Sequence, residues 1–297
     1  MAVFQPGVLA QGSRFHHHLE YDLIEGVDAP AVAAAVGGLR EPSVSAGGVN
    51  LVIGFSDRLW ARIGPAQRPT PAPFPAMAGS GGSMPVTQHD IWVWLHGAGP
   101  DIVLDTARAV SAALAGIAVL ADEQPSFVYR DSRDLTGFID GTENPVLAEA
   151  PEVVFLPDGP GAGGAHAILQ RWLHDLEAFH SLSLEEQEAV FGRTKQDSVE
   201  LDDAVKPVDA HIARTVVEDA DGEELEIYRR STAFGDVGRH GLMFVGFSRD
   251  PIRFSLMIER MVGAGAEPPD RLLRYSTPVT GSAYFVPSLS ELSGLST

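Results

Sequence analysis

The segment TGFIDGTENP, residues 136–145, carries one aspartate, Asp140, between Ile139 and Gly141. A carboxylate there can do three kinds of work. Asp-Gly followed by Thr-Glu-Asn-Pro is ordinary turn chemistry. With Glu143 it would form an oxygen-rich cation loop. Held over a reacting group, it would take up and return a proton. Two further features bear on such a site. His211 follows Pro207-Val208-Asp209-Ala210 and begins an apolar run; it reads as a satisfied core or edge residue or as a ligand. Arg229 and Arg230 end the run LEIYRR, and in a strand neighbouring side chains face opposite ways, so one arginine points inward and the other to solvent. An inward arginine calls for an anion and an inward aspartate for a cation, which makes a structural Arg–Asp pair the simplest outcome.

Other chemistries lack their residues. The chain has no cysteine, which removes disulfides, thiolate zinc sites, iron–sulfur clusters and a catalytic thiol together. No HExxH occurs among the ten histidines. His16, His17 and His18 alternate between strand faces and cannot share one metal. His174 and His180 fall near an expected surface helix. The basic cluster GRTK at 192–195 lacks the glycine spacing of a phosphate loop. No GxSxG elbow and no GxGxxG turn stands in the required context.

The elements that must position these residues follow from periodicity and caps. Strands are expected at 15–23, 47–56, 90–97, 165–176 and 241–248. Helices are expected at 27–42, with Asp28 as N-cap before Pro30, at 105–120, at 183–192, where Ser183 and Glu186 have capping-box spacing, and at 250–263. Residues 64–86, rich in Pro, Gly, Ser and Ala, read as a surface loop, and 210–234 as a hairpin. Two echoes, VIGFS (52–56) with FVGFS (244–248) and YDL (21–23) with HDL (174–176), suggest a duplication into related α+β halves, with a boundary between Pro145 and Pro160.

Hydrophobic residues make up 44% of 297, enough for a packed core in one large domain or two. The net charge is −19, which repels phosphate backbones and anionic lipid heads, so neither nucleic acid nor membrane is expected as a partner. No apolar run is long enough to span a bilayer, and the first residues carry no export signal, so the cytoplasm is the expected location.

In combination the motifs resemble one family. GFIDGTENP resembles the GxxDG signature of dye-decolorizing peroxidases. GRTK with DSVEL (192–201), AHIAR (210–214), IYRRS (227–231), FVGFS (244–248) and STPVTGSAYFVPS (276–288) follow in that family's order, with 71 residues from Asp140 to His211 and 18 from His211 to Arg229. The resemblance covers nearly the whole chain and is to the compact, bacterial B-type branch. It implies an α+β fold of two ferredoxin-like halves of the dimeric α+β barrel type, residues 1–150 and 151–297, with antiparallel sheets faced by helices. It implies one haem b per chain, held by the second half, and a peroxidase that reduces hydrogen peroxide and oxidises dyes, phenols or other small reductants by way of a ferryl intermediate. Carried over by position, His211 is the iron ligand, and Asp140 and Arg229 are the catalytic pair above the iron. Arg193 contacts a haem propionate. Ser231 stands where some relatives carry asparagine. Asp270, in EPPDR, is the partner of the other His211 nitrogen. A haem carrier, or an iron-releasing lyase of the deferrochelatase type on the same fold, is the alternative. A homo-oligomer is expected, and the tail SLSELSGLST is either an address for an encapsulating shell or a frayed end.

Overall fold

Segments such as IWVWLHG and AHAILQRWLH are apolar on both faces, so each face needs cover. The computed structural model describes residues 3–39, 48–69, 73–74 and 76–295. In it these segments are walls of one closed antiparallel barrel. Its eight strands are β1 (Phe15–Leu23), β2 (Val49–Phe55), β3 (Ile91–Gly97), β4 (Ala118–Phe127), β5 (Ala165–His174), β6 (Thr232–Gly235), β7 (His240–Ser248) and β8 (Ser282–Val286). The first half runs in the order β4-β1-β3-β2 and the second in the order β8-β5-β7-β6. Both are the fourth-first-third-second order of a ferredoxin-like βαββαβ unit. Phe55 opposite Phe285 joins β2 to β8, and Phe127 opposite Ala233 joins β4 to β6, which closes the ring.

Helices α1 (Ala29–Gly37), α2 (Asp57–Ile63) and α3 (Pro100–Leu114) belong to the first half. Their Val32, Val36, Trp60, Val103 and Val110 pack on Leu19, Tyr21, Ile53 and Val93. Burying such side chains contributes about 1.5–3 kcal/mol each. The second half carries α4 (Ala150–Val154), α5 (Leu176–His180), α6 (Leu184–Phe191), α7 (His211–Thr215) and α8 (Ile252–Val262). Alternate residues along β5 serve two cores. Ala167 and Leu169 join Trp92, Trp94, Phe247 and Tyr284, a cluster drawn from both halves. Ile168 and Trp172 join Phe254, Ile258 and Met261 of α8.

The Asp28 cap, with Ala31 N donating at 2.8 Å, and the Ser183–Glu186 capping box both form. Residues 40–42 of the first expected helix and residue 47 of the second expected strand lie outside the described residues. Elsewhere the chain departs from its local pattern. The helix expected at 105–120 begins at Pro100, a residue suited to a first helical turn, and ends at Leu114. Residues 118–127 form a strand instead, because ADEQPSF sets a polar edge against water while pairing with β1. The loop at 64–86 includes a short hairpin, Ala78–Gly79 with Gly82–Ser83, and buries Phe74 and Met84 in the α8 core. The hairpin expected at 210–234 is replaced at its start by α7. Arg260 donates to the Ala213 and Val216 carbonyls at 2.8 and 2.7 Å, satisfying the acceptors that a short helix leaves open at its end. Of the two echoes, YDL ends β1, whereas HDL runs from the last residue of β5, His174, into the start of α5. VIGFS and FVGFS do not correspond: one lies in β2, a second strand, and the other in β7, a third.

Candidate active site

Asp140 is set by its own loop. Gly137 and Gly141 hold φ of 94° and 80°, the left-handed region that favours glycine. A Cβ on Gly137 would also lie 2.6 Å from Lys195 Cε. Arg133 ties the loop to the 192–198 segment through Gly137 O at 2.8 Å, Lys195 O at 2.7 Å and Gln196 O at 2.9 Å. Asn144 fastens it on the other side. The Asn144 amide accepts from Arg229 N and donates to Arg229 O, both at 2.8 Å. Asn144 therefore fastens the loop carrying Asp140 to the short strand Tyr228–Arg229. Asp140 Oδ1 stands 3.9 Å from Arg229 Nη1, an ion pair beyond hydrogen-bond distance. Among the described residues the Asp140 side chain has no hydrogen-bond partner, so its oxygens remain free to accept a proton.

Asp140, Arg193, His211 and Arg229 line one cavity. Its remaining wall is mostly apolar, with Phe138, Ile168, Trp172, Phe191, Phe244 and Met261 among the lining residues. His211 opens α7, and its Nδ1 lies 2.6 Å from Asp270 Oδ2. A carboxylate only accepts, so the ring proton sits on Nδ1 and Nε2 keeps its lone pair. Asp270 is 1% exposed, and its second oxygen accepts from Leu272 N at 2.8 Å. Beside this pair Arg271 binds Asp209 at 2.5 and 3.0 Å, zipping the two segments together. Arg193 donates to Ser198 O at 2.7 Å and pairs with Glu143 across the cavity edge.

Family models match both halves: Dyp-type peroxidase, N-terminal, at residues 8–128 and Dyp-type peroxidase, C-terminal, at residues 131–291. The chain belongs to the Dyp-type peroxidase family. It is 38% identical over 270 residues to the dye-decolorizing peroxidase of Rhodococcus erythropolis, covering 88% of this chain and 79% of that one. It is 37% identical over 261 residues to that of Mycolicibacterium paratuberculosis, covering 86% and 73%. Among solved structures, a Rhodococcus jostii DypB variant in complex with heme superposes with a TM-score of 0.90 at 35% identity, covering 97% of each chain. The encapsulated DyP-type peroxidase from Mycobacterium smegmatis superposes with a TM-score of 0.88 at 34% identity, covering 99% and 98%.

The residues of this Dyp-type cavity fit a haem. The apolar wall suits a macrocycle, Nε2 of His211 suits an iron, and Arg193 at the cavity edge suits a propionate. Two of the expected site residues stand apart from the wall. Asp270 lies behind the wall, in contact with His211. Ser231 lines a second, polar cavity that shares Asp140 and Arg229 with the first. Arg230 does not point to solvent as strand alternation implied. It is part-buried, donates to Val8 O at 2.8 Å and lies 5.1 Å over the Trp94 ring.

His174 also departs from expectation. It lines the cavity instead of a surface, bonded to Asp134 Oδ1 and Ser276 Oγ, each at 2.9 Å. Burial alone would raise the Asp134 carboxyl, but His174 and Thr136 outweigh it and hold the group below its usual range. The available signal was alternation along β5, which puts His174 on the face of Ile168 and Trp172. Asn144 gave no signal beyond a turn residue. Its role depends on a partner 85 positions away. No helix among the described residues is long and apolar enough to cross a membrane.

Proposed function

We propose that the chain is a haem-dependent peroxidase, with Asp140 and Arg229 as its catalytic residues and His211 as the iron ligand. The observation that carries this reading is the cavity itself. It combines a histidine poised to bind metal with an unbonded carboxylate next to a fixed positive charge. A haem carrier would need His211 and Arg193 but gains nothing from the Asp140–Arg229 pair.

Haem b, one per chain, supplies the redox chemistry when bound, taking two oxidising equivalents from peroxide and passing them to a reductant. His211 Nε2 would hold the metal, with Asp270 on Nδ1 favouring the tautomer that leaves Nε2 unprotonated. Arg193, paired with Glu143 here, would hold a propionate. Asp140 would take the proton from one oxygen of hydrogen peroxide and deliver it to the other. Arg229 stabilises the negative charge that develops as the O–O bond polarises. Asn144 keeps donor and carboxylate in register.

Hydrogen peroxide and small reductants such as dyes or phenols are the substrates. We assign the chain to the cytoplasm and to a homo-oligomer, and divide it at residues 150/151 into its two ferredoxin-like halves. The encapsulated relative makes the tail the segment to test for a shell address; residues 296–297 of that tail lie outside the described residues. The deciding experiment is hemin titration of the purified chain followed by peroxide-dependent dye oxidation. A stoichiometric Soret band that His211→Ala abolishes, together with turnover that Arg229→Ala lowers about 10²–10³-fold, is expected. A wild-type Soret band in His211→Ala would move the ligand to another histidine.

A further inference from the structure

The second cavity encloses about 580 Å³ and is polar where the first is apolar. Five arginines line it, Arg14, Arg130, Arg133, Arg229 and Arg230, against two aspartates, Asp131 and Asp140. Both aspartates already have cations: Asp131 pairs with Arg133 at 3.0 Å and Asp140 with Arg229 at 3.9 Å. Arg14, Arg130 and Arg230 have no carboxylate partner among the described residues. In a chain with 40 acidic and 21 basic residues, three unpaired arginines on one cavity need an explanation, since acids to neutralise them are plentiful.

Arg230 is the sharpest case. Its guanidinium donates to the Val8 carbonyl at 2.8 Å, meets the Tyr228 side chain and lies 5.1 Å over the Trp94 ring. Burial works against its charge. A part-buried guanidinium without a carboxylate partner is costly unless water or an anion completes it. Beside it Ser231 also lines the cavity, and its hydroxyl is buried without a hydrogen-bond partner.

We propose that this cavity is an anion-binding site, taking a small carboxylate or inorganic oxyanion on Arg230, Arg14 and the Ser231 hydroxyl. The site is separate from the apolar cavity yet touches it, because Asp140 and Arg229 line both. An occupant therefore adds negative charge beside the two residues assigned to peroxide chemistry. The claim about binding stands without that assignment, since it concerns only the chain's own donors.

The test is calorimetric titration of the full-length protein, as purified with its haem, at constant ionic strength. Sodium sulfate is the inorganic probe and sodium benzoate the organic one. Saturable binding at about 1 mM or tighter is expected for at least one probe. Tighter binding of benzoate by about tenfold identifies a carboxylate site, and tighter sulfate an inorganic oxyanion site. Arg230→Gln should weaken binding at least about tenfold, and Ser231→Ala and Arg14→Gln should each weaken it measurably; the two milder variants serve if Arg230→Gln does not fold. The Soret band should stay unchanged through the titration. Absence of saturable heat with both probes, equal affinity in all three variants, or a Soret shift that tracks the heat would each overturn the proposal, the last by placing the anion on the iron.

Discussion

Replacing Asp270 by asparagine keeps the shape of the side chain and changes one atom, so it isolates what the carboxylate does for His211. The wild-type oxygens have two tasks: Oδ2 accepts from His211 Nδ1 at 2.6 Å and Oδ1 from Leu272 N at 2.8 Å. An asparagine has one oxygen and one NH₂. If its oxygen stays on Leu272 N, the NH₂ faces His211 Nδ1, and the ring proton must move to Nε2, removing the lone pair that would bind iron. If its oxygen turns to His211, the NH₂ confronts the Leu272 N–H and leaves a buried donor unsatisfied, at about 1–3 kcal/mol. Either outcome should lower haem affinity about 10–100-fold, the usual effect of losing the group behind a metal-bound histidine. Loss of the negative charge should also shift the iron's reduction potential upward. Hemin titration followed by Soret absorption gives the affinity, and spectroelectrochemistry the potential. If Asp270→Asn matches wild type in both, the hydrogen bond does not set the tautomer and the assignment of Asp270 is wrong.

Arg229→Ala should slow the reaction with peroxide about 10²–10³-fold in stopped flow, because water cannot replace its charge. Asp140→Ala should cost on the order of 10²–10⁴-fold unless water relays the proton; wild-type rates in both would remove the pair from catalysis. Asn144→Ala cuts two hydrogen bonds to the Arg229 backbone and should cost about 1–3 kcal/mol of stability, with peroxide reactivity falling alongside; urea midpoints and stopped flow measure both. Stability should fall on acidification. Burial lowers His96 to about 3 and His166 to about 4 from 6.5, so their contribution is complete above about pH 6.5 and is lost as pH falls toward those values. At pH 5 this amounts to at most about 2 kcal/mol for each histidine. Glu20, raised by burial, works in the opposite direction and offsets part of the loss. Unfolding midpoints equal at pH 7 and pH 5, or a slope untouched by His166→Gln, would contradict the assignment. Oxidation of an anionic dye at neutral pH should rise with added salt, because a net charge of −19 repels it until screened; a flat response would count against surface repulsion as a control on rate.

The readable parts of this chain are those where one residue's surroundings are local. Asp28 before Pro30 and Ser183 with Glu186 specify helix starts within four residues, and both caps form as expected. The strands that are apolar on both faces are legible because a barrel wall and its covering helices demand that pattern. His211, Asp140 and Arg229 were legible as a set only through the family resemblance, since each alone also reads as an ordinary core, turn or ion-pair residue. The α7 helix was hidden because its last carbonyls are satisfied by Arg260, which lies 44 to 47 positions away. The polar strand β4 was hidden for a related reason: its hydrogen bonds go to β1, about a hundred residues earlier.

Arg230 carries the same lesson into function. Alternation assumes a continuing strand with one wet face, but the strand here is only Tyr228–Arg229 and Arg230 lies beyond its end. The side chain that should have reached solvent lies on Trp94 and beside a second cavity. A charge kept there without a carboxylate is stable only if something else meets it, whether water or an anion. The two neighbouring arginines thus divide their work by geometry. Arg229 has a carboxylate 3.9 Å away and looks into the apolar cavity as well as the polar one. Arg230 has none and serves the polar cavity only. Peroxide chemistry needs the first to be fixed and paired; an anion site needs the second to be open. The two are thus the same residue type in two environments, and what each does is set by its position and not by its identity.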